Sequence, residues 1–394
     1  MWLQDIENNI MTFVTPSVKS FAANEFPAKL PGSIWAVTTF FNPVGYKNRY
    51  ENYKKFRESS KRQGLKLLAV ELVFGDAKFE LRDDDAEMII RIRGNEKNIM
   101  WQKEALLNIG IEKLPEDCDK VIWIDCDIIF QDNDWVSRTA QLLEKYKVVQ
   151  PFSDVTMKNE NEDLVEGKGK KISIYGNIYT RINQGNRTGH PGFVWAARRN
   201  VLKEVKLYDK LITGSADVLI SDSFCSDKVI AKEFHFKNIS NDIGNWWGKS
   251  FKLVGNSLSY CDGNIFHLWH GNPKNRRNIL NRFVLISNNF DFEKDIKKDQ
   301  FGIWEWTGNN PKVEKYITKY FYIRNEDDHL SFSYIFAYTS FLVNRLFDGS
   351  FIMYIRYELN RFFGWIGKMI NKISPRIYNH LVNKKPCWAK PLDI

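Results

Sequence analysis

The sequence predicts an α/β fold in which helices flank a mostly parallel sheet and a helical region follows at the carboxyl end. Short apolar, β-branched runs alternate with stretches of helical periodicity through residues 34–130, and this alternation is typical of a parallel sheet. The 394 residues are enough for one large domain and an appendage. We expect an extension over residues 1–32, a main domain over residues 33–328 and a helical, amphipathic region over residues 329–394.

Four strands and two helices are predicted in the first third of the chain. The strands are residues 34–41, 65–73, 88–92 and 120–130, and the helices are residues 46–63 and 99–109. Asn42-Pro43 ends the first strand, and Gly110 ends the second helix. A glycine-rich and lysine-rich stretch over residues 167–189 is expected to form a loop over the site.

Polar side chains fall where these strands end, and ligands of open α/β sheets bind at that edge. The side chains are Thr39, Glu71, Arg93 and Asp125. Thr38, Thr39 and Asn42 are candidates for contact with a ribose or a base, and Glu71 would accept hydrogen bonds from either. Arg93 and Lys103 could meet phosphate or base, although Lys103 could equally be surface charge.

Composition leaves the class of partner open. The net charge of +9 at pH 7 suits nucleic acid, an anionic membrane or a phosphate-bearing substrate. The five cysteines are scattered without metal-site spacing, so a reduced, cytoplasmic compartment is expected. The sequence begins without signal-peptide character and has no run of about 18 apolar residues, so we expect a soluble or peripherally attached protein.

The pair Asp125 and Asp127 follows the apolar run of residues 121–124. Burying two carboxylates at the end of a strand is costly unless a partner compensates them. Mg²⁺ and Mn²⁺ accept carboxylate oxygens and leave positions for phosphate oxygens. The pattern therefore predicts a divalent-cation site, and the alternative is that the two aspartates cap the next turn.

Later in the chain, one acid and two histidines are candidates for the same site. Asp217 follows Thr213-Gly214-Ser215 at a predicted helix start, where it would be an N-cap or a general base. His267 and His270 lie within four residues, and neutral imidazole is a good ligand for Mn²⁺. The alternative for this pair is a place in the core.

A basic cluster follows the histidines directly. It comprises Lys274, Arg276 and Arg277. Lys274 and Arg277 are candidates for neutralising a leaving diphosphate. A solvated basic loop is the alternative.

Taken in chain order, these motifs resemble those of GT-A glycosyltransferases with an Asp-X-Asp motif, and they are similar to galactosyltransferase-like and family-2-like members of bacteria and large viruses. The matching segments are residues 38–43, Glu71, residues 124–127, residues 190–198, residues 207–217 and residues 267–271. They span about residues 33–325, and their common order is more specific than any one motif. The main domain is on this basis expected to be a GT-A catalytic domain.

The resemblance implies transfer of a sugar from a nucleoside-diphosphate sugar, of UDP or GDP, to a hydroxyl of a glycan or glycolipid, with Mn²⁺ or Mg²⁺ as cofactor and no nucleic-acid partner. A late histidine would complete the metal site, His267 being favoured over His270. Asp217 would be the base of an inverting reaction. Ala216 stands where many members carry a second acid.

Two other functions fit parts of the pattern. A sugar nucleotidyltransferase shares the strand and metal arrangement, but residues 38–42 contain no glycine for a phosphate loop. A non-catalytic glycan-binding module on the same fold is the second. In residues 359–373, apolar side chains recur on one helix face beside basic ones, which suits either a membrane interface or packing against the domain or a second copy.

Overall fold

The computed structural model describes residues 25–159, 161, 171–172, 190–225, 240–276 and 278–327. These residues belong to one compact unit. Residues 1–24, Arg277, the predicted region 329–394 and nearly all of the predicted loop 167–189 lie outside the described residues. The boundaries proposed for the domains therefore stay predictions.

A seven-stranded sheet forms the centre of the described chain, in the order β10-β6-β9-β4-β1-β2-β3. Its strands are β1 (Ser33–Phe41), β2 (Leu67–Phe74), β3 (Met88–Gly94), β4 (Cys118–Ile124), β6 (Val148–Gln150), β9 (Val194–Arg198) and β10 (Leu258–Tyr260). All neighbours run parallel except β9, which is antiparallel to both β4 and β6. The predicted α/β class with a mostly parallel sheet is confirmed.

Helices pack on this sheet and on its edges. They are α1 (Lys47–Arg62), α2 (Lys103–Glu112), α3 (Trp135–Lys145), α4 (Arg199–Glu204), α5 (Ala216–Cys225), α6 (Ser240–Val254), α7 (Asn278–Ser287), α8 (Phe292–Asp295) and α9 (Pro311–Ile323). Within the described residues, no helix is both long and apolar enough to cross a lipid bilayer.

Strand β1 is buried on both faces, as the central strand of a parallel sheet must be. Val37 and Phe41 belong to one apolar core together with residues of α2, whereas Ala36 and Phe40 belong to a second core with Tyr53 of α1. Because successive side chains of a strand point to opposite faces, one apolar run supplies both cores.

The predicted strand over residues 120–130 is wrong as a single element. Strand β4 ends at Ile124, and β5 (Ile128–Phe130) belongs to a four-stranded sheet in the order β5-β11-β7-β8. The other strands of that sheet are β7 (Asp154–Met157), β8 (Lys171–Ile172) and β11 (Asn264–His267). The bond from the amide of Asp125 to the carbonyl of Phe193, 2.9 Å away, continues the pairing of β4 with β9 one residue beyond Ile124. Residues 125–127 lead from one sheet to the other, with a turn at Cys126 and Asp127.

The second predicted helix starts later than expected and continues past Gly110. A 3₁₀ turn over Glu96–Asn98, capped by Asn95, precedes it, and α2 begins only at Lys103. A Cβ at Gly110 would lie 2.5 Å from Cγ1 of Val37. Gly110 therefore permits close packing of the helix on the sheet and does not end it. A short antiparallel pair, β12 (Ile296–Lys298) and β13 (Trp304–Trp306), completes the described elements.

Candidate functional site

The turn between β4 and β5 brings the aspartate pair beside the late histidines. The amide of Leu268 donates to the carbonyl of Asp127 at 2.9 Å, and His267 is paired with Ile128 in the antiparallel register of β11 and β5. Phe193, whose carbonyl holds the amide of Asp125, adopts a φ of 78°. Such a conformation is uncommon for a non-glycine residue and tends to occur at functional sites.

Asp127, His267 and His270 form a compact group of possible metal ligands. One donor atom from each lies within 4.8 Å of the other two. The Nε2 atom of His270 is 3.2 Å from Nε2 of His267 and 3.4 Å from Oδ2 of Asp127. Oδ1 of Asp127 is buried and has no hydrogen-bond partner among the described residues. A buried carboxylate oxygen without a partner beside two imidazoles fits a cation site.

The electrostatics of this group follow from burial. Burial first, and the charge of Asp125 second, raise the pKa of Asp127 to about 7. Burial and the neighbouring Arg276 and His267 hold the pKa of His270 well below its usual range. A neutral imidazole is the form that binds metal, so the environment favours a ligand role for His270.

The group lies on the wall of a cavity of about 410 Å³. Acidic and basic side chains on the same wall include Arg49, Lys103, Glu104, Asp125, Asp217, Arg276, Arg324 and Glu326. The aromatic side chains on the same wall are Phe40, Phe41, Trp101, His190 and Phe193. Thr39 lines the cavity as well. The cavity therefore joins the carboxyl ends of the sheet to the segment at residues 324–326.

Asp125 lies on the cavity but outside the compact ligand group. Its carboxylate forms an ion pair with the ammonium of Lys103, the first residue of α2. Burial lowers the pKa of Lys103, but the charges of Asp125, Glu104 and Asp217 outweigh it and raise that pKa. Lys103 is thus a half-buried cation among carboxyl groups on the cavity wall.

Asp217 lies on the cavity wall, in the first turn of α5. It is the second residue of the helix and follows Gly214 and Ser215, whose φ angles are 83° and 74°. These positions turn the chain so that the carboxyl group meets the cavity, and a simple N-cap role does not describe it. Burial is the main cause that raises the pKa of Asp217, and Lys103 opposes it.

Glu104 supplies a second carboxyl group to the same region of the cavity. Burial raises its pKa to about 8, with Lys103 opposing and Asp217 adding to the shift. At neutral pH Glu104 is therefore mostly protonated. Two carboxyl groups with different protonation states can accept and donate different protons in one reaction.

Beside the ligand group, the cavity wall carries a network of charged side chains. Glu326 pairs with Arg49 and, at 2.6 Å, with Arg324. The guanidinium of Arg324 lies 5.0 Å from the ring centre of Trp101. Burial alone would raise the pKa of Glu326, but the charges of Arg49 and Arg324 lower it instead. The network keeps guanidinium groups at the cavity surface in a fixed arrangement.

Four predicted nucleotide ligands, Thr38, Asn42, Glu71 and Arg93, do not line the cavity. The hydroxyl of Thr38 is fully buried and donates to the carbonyl of Ile124 at 2.8 Å. Glu71, also fully buried, accepts from the amides of Glu80 and Leu81.

The other two are Asn42 and Arg93. Asn42 bonds to Tyr46 and Glu80, and Arg93 donates to the carbonyls of Gly75 and Ala77. Glu71 and Arg93 therefore hold the loop between β2 and β3. Each of these four side chains has partners in the backbone or in a neighbouring side chain, and a role for them in nucleotide binding stays a prediction.

The basic cluster after the histidines is placed only in part. Lys274 lies in a 3₁₀ turn over Pro273–Arg276, and Arg277 lies outside the described residues. Arg276, the middle member of the cluster, lines the cavity. Sequence reasoning also missed Arg49, Glu104, Arg324 and Glu326, since no local motif marks them and only the fold brings them together.

No family model matches this chain, and no curated protein matches it. Three similar solved structures illustrate the range of likeness. Glucosyl-3-phosphoglycerate synthase from Mycobacterium tuberculosis, in complex with Mn²⁺, UDP and phosphoglyceric acid, is 12% identical over 68% of this chain and 81% of that chain, with a TM-score of 0.35. TarS from S. aureus is 11% identical over 65% of each chain, with a TM-score of 0.33. A 4-diphosphocytidyl-2C-methyl-D-erythritol synthase from Anaerococcus prevotii is 11% identical over 59% of this chain and 87% of that chain, with a TM-score of 0.28. Because these identities and TM-scores are low, a function for this chain has to be inferred from its own site.

Proposed function

We propose that this protein is a metal-dependent glycosyltransferase of the GT-A type, which moves a sugar from a nucleoside-diphosphate sugar to a hydroxyl of a glycan or glycolipid. The observation that carries the proposal is the compact group of Asp127, His267 and His270 on the wall of a cavity that also holds Asp217. A cation site and a base in one cavity are the two parts that such a transfer needs.

The ligand group suits a divalent cation, and its chemistry favours Mn²⁺ over Mg²⁺. Two imidazole nitrogens and one carboxylate oxygen are acceptable to Mn²⁺, whereas Mg²⁺ strongly prefers oxygen ligands. Asp127, His267 and His270 would hold the cation, and Asp125 would remain with Lys103 at its edge. When bound, such a cation would neutralise charge on the diphosphate as the glycosidic bond breaks.

Cationic side chains would complete the diphosphate site. Arg276 reaches the cavity next to the ligand group, and Arg49 and Arg324 line the adjoining wall. Guanidinium groups donate in pairs to phosphate oxygens, and fixed donors stabilise charge that develops on a leaving group. The rigid Glu326 network would hold Arg49 and Arg324 in place for this purpose.

Asp217 would be the general base of an inverting transfer. Its ionised carboxylate would take the proton of the acceptor hydroxyl while that oxygen attacks the anomeric carbon. Glu104, protonated at neutral pH, would donate a hydrogen bond in the same part of the cavity. Lys103 would keep Asp217 ionised by placing a positive charge beside it.

Three parts of the proposal depend on the sequence alone: the glycan or glycolipid acceptor, the cytoplasmic location, and contact of residues 329–394 with a membrane or a second copy. Flotation with anionic liposomes would test the membrane contact. Equal binding by the whole chain and by a chain ending at Asp328 would contradict it.

The activity is tested by offering UDP, GDP and dTDP sugars with Mn²⁺. We expect at least one of them to raise the melting temperature and to be hydrolysed slowly in the absence of an acceptor. Asp217→Asn should keep the thermal shift and lose the hydrolysis, because the base does not hold the nucleotide. A glycan-binding module would bind a glycan without metal and would hydrolyse none of the donors, and that result would contradict the proposal.

A further inference from the structure

The turn that leads into β9 is strained at Phe193. The φ of this residue is 78°, and the amide of Val194 donates to the carbonyl of Gly192 at 3.2 Å. A hydrogen bond that closes around one residue of positive φ is the pattern of a γ-turn of the rare, strained form. Glycine would adopt this conformation without strain. The ring is therefore what phenylalanine adds at this position, and strained residues of this kind cluster at functional sites.

The ring of Phe193 is buried against two imidazoles. Its centre lies 3.8 Å from that of His190, with an angle of 17° between the planes, and 5.0 Å from that of His267, with an angle of 51°. Aromatic rings attract each other at these separations. The ring of His267 also meets that of His270 at 5.0 Å and 71°. Phe193 and His270 therefore both restrict how the imidazole of His267 can turn.

The backbone of Phe193 contacts the other half of the ligand group. Its carbonyl accepts from the amide of Asp125 at 2.9 Å, and Asp127 supplies its carboxylate two residues further on. The carbonyl of Asp127 in turn accepts from the amide of Leu268, next to His267. One residue thus contacts both chain segments that carry the ligands, the aspartate turn through its carbonyl and β11 through its ring.

Orientation decides whether an imidazole can bind a cation. The lone pair of Nε2 lies in the plane of the ring, so a rotated ring no longer aims it at the other ligands. Nε2 of His267 lies 3.2 Å from Nε2 of His270 and 3.8 Å from Oδ2 of Asp127, which is the convergence that a shared cation needs. Residues that hold a ligating histidine in such an orientation affect metal affinity without touching the metal.

We propose that Phe193 is a positioning residue of the cation site: its ring holds the imidazole of His267 in the orientation that binds the cation, and its carbonyl holds the turn that carries Asp127. This inference rests on the proposed cation site and names a residue that organises it. Phe193 acts through His267 and Asp127, since its hydrocarbon side chain has no donor atom for a metal.

The test is calorimetric titration of Mn²⁺ into the full-length chain. Phe193→Leu should bind Mn²⁺ about tenfold more weakly than the wild type, because residues that orient a metal ligand have effects of this order. Phe193→Gly removes the ring and also the strain, and it should lose affinity to a similar degree. Phe56→Leu is the matched control, since Phe56 belongs to the same apolar core but does not line the cavity. Thermal unfolding without Mn²⁺ shows the temperature below which each variant is folded and can be titrated.

Four results would contradict parts of this account. Equal Mn²⁺ binding by the wild type and F193L overturns the positioning role and leaves the cation site standing. Wild-type affinity in F193G shows that the ring is not needed and overturns the role as well. A loss in F56L as large as that in F193L assigns the effect to a disturbed core, with the same consequence. Absence of binding by the wild type overturns the cation site itself and with it the proposed function.

Discussion

Two carboxyl groups, the buried Glu104 and the half-buried Asp217, line one cavity together with Lys103, whose positive charge acts on both. Burial raises the pKa of both, and coupled carboxyl groups tend to hold one proton between them. The sequence pointed to one acid because Ala216 precedes Asp217. The second acid comes from α2, about 110 positions earlier, and no local pattern could have assigned it to the site.

The pH dependence of turnover follows from the raised pKa of Asp217. The base works ionised, so the rate falls as pH falls through its pKa, and the acid limb should lie above the usual aspartate value of about 3.9. Hydrolysis of the donor sugar nucleotide at saturating Mn²⁺, measured from about pH 4 to pH 8, checks this. Asp217→Asn should lose the limb together with most of the rate. A wild-type limb at or below the usual value would contradict the assignment.

At the scale of elements, the sequence patterns predicted strands β1 to β4 and their parallel direction, because apolar runs and helical spacing are local signals. The break after Ile124 was not predictable, since the apolar run resumes at Ile128 and only the fold assigns β5 to a second sheet. Glu71 and Arg93 likewise looked like ligands at strand ends. Their partners in the loop between β2 and β3 depend on a conformation that the sequence does not display.

Gly192 controls the position of the base on α5. A Cβ at this residue would lie 2.5 Å from Oδ2 of Asp217, so Gly192→Ala should displace the carboxylate. We expect donor hydrolysis to fall by on the order of a hundredfold, with Mn²⁺ affinity unchanged. Gly244→Ala, where an added Cβ meets nothing within 4 Å, is the matched control. Wild-type turnover in G192A would show that Asp217 is not the base.

At the scale of the whole molecule, the site is closed by a segment from the far end of the described chain. The phenol of Tyr46 donates to the carbonyl of Phe321 at 2.7 Å and accepts from the amide of Asn325 at 3.0 Å. Asp327 accepts from the amides of Lys47 and Asn48 and so caps α1. The histidine segment joins this closure through Trp269, whose carbonyl accepts from Asn48 and Asn52.

Gly271 allows the segment with the two histidines, residues 267–271, to pack closely against residues 325–326. Its φ is 86°, and an added Cβ would lie 2.8 Å from the carbonyl oxygen of Asn325. Gly308 has nearly the same φ, 87°, with nothing within 4 Å of the added atom. Urea unfolding should show that Gly271→Ala loses about 1–3 kcal/mol more than Gly308→Ala. Equal losses would mean that the two segments do not depend on this close passage.

Mn²⁺ titration of the wild type and Asp127→Asn tests most directly whether Asp127, His267 and His270 form a cation site. The wild type should bind Mn²⁺. Changes to residues that support a metal ligand lower the metal affinity roughly 10–100-fold, and D127N, which changes a ligand itself, should lower it by more. Asp132→Asn, which changes an acid paired with Arg138 outside the cavity, should bind as the wild type does. Equal Mn²⁺ binding by the wild type and D127N would contradict the account.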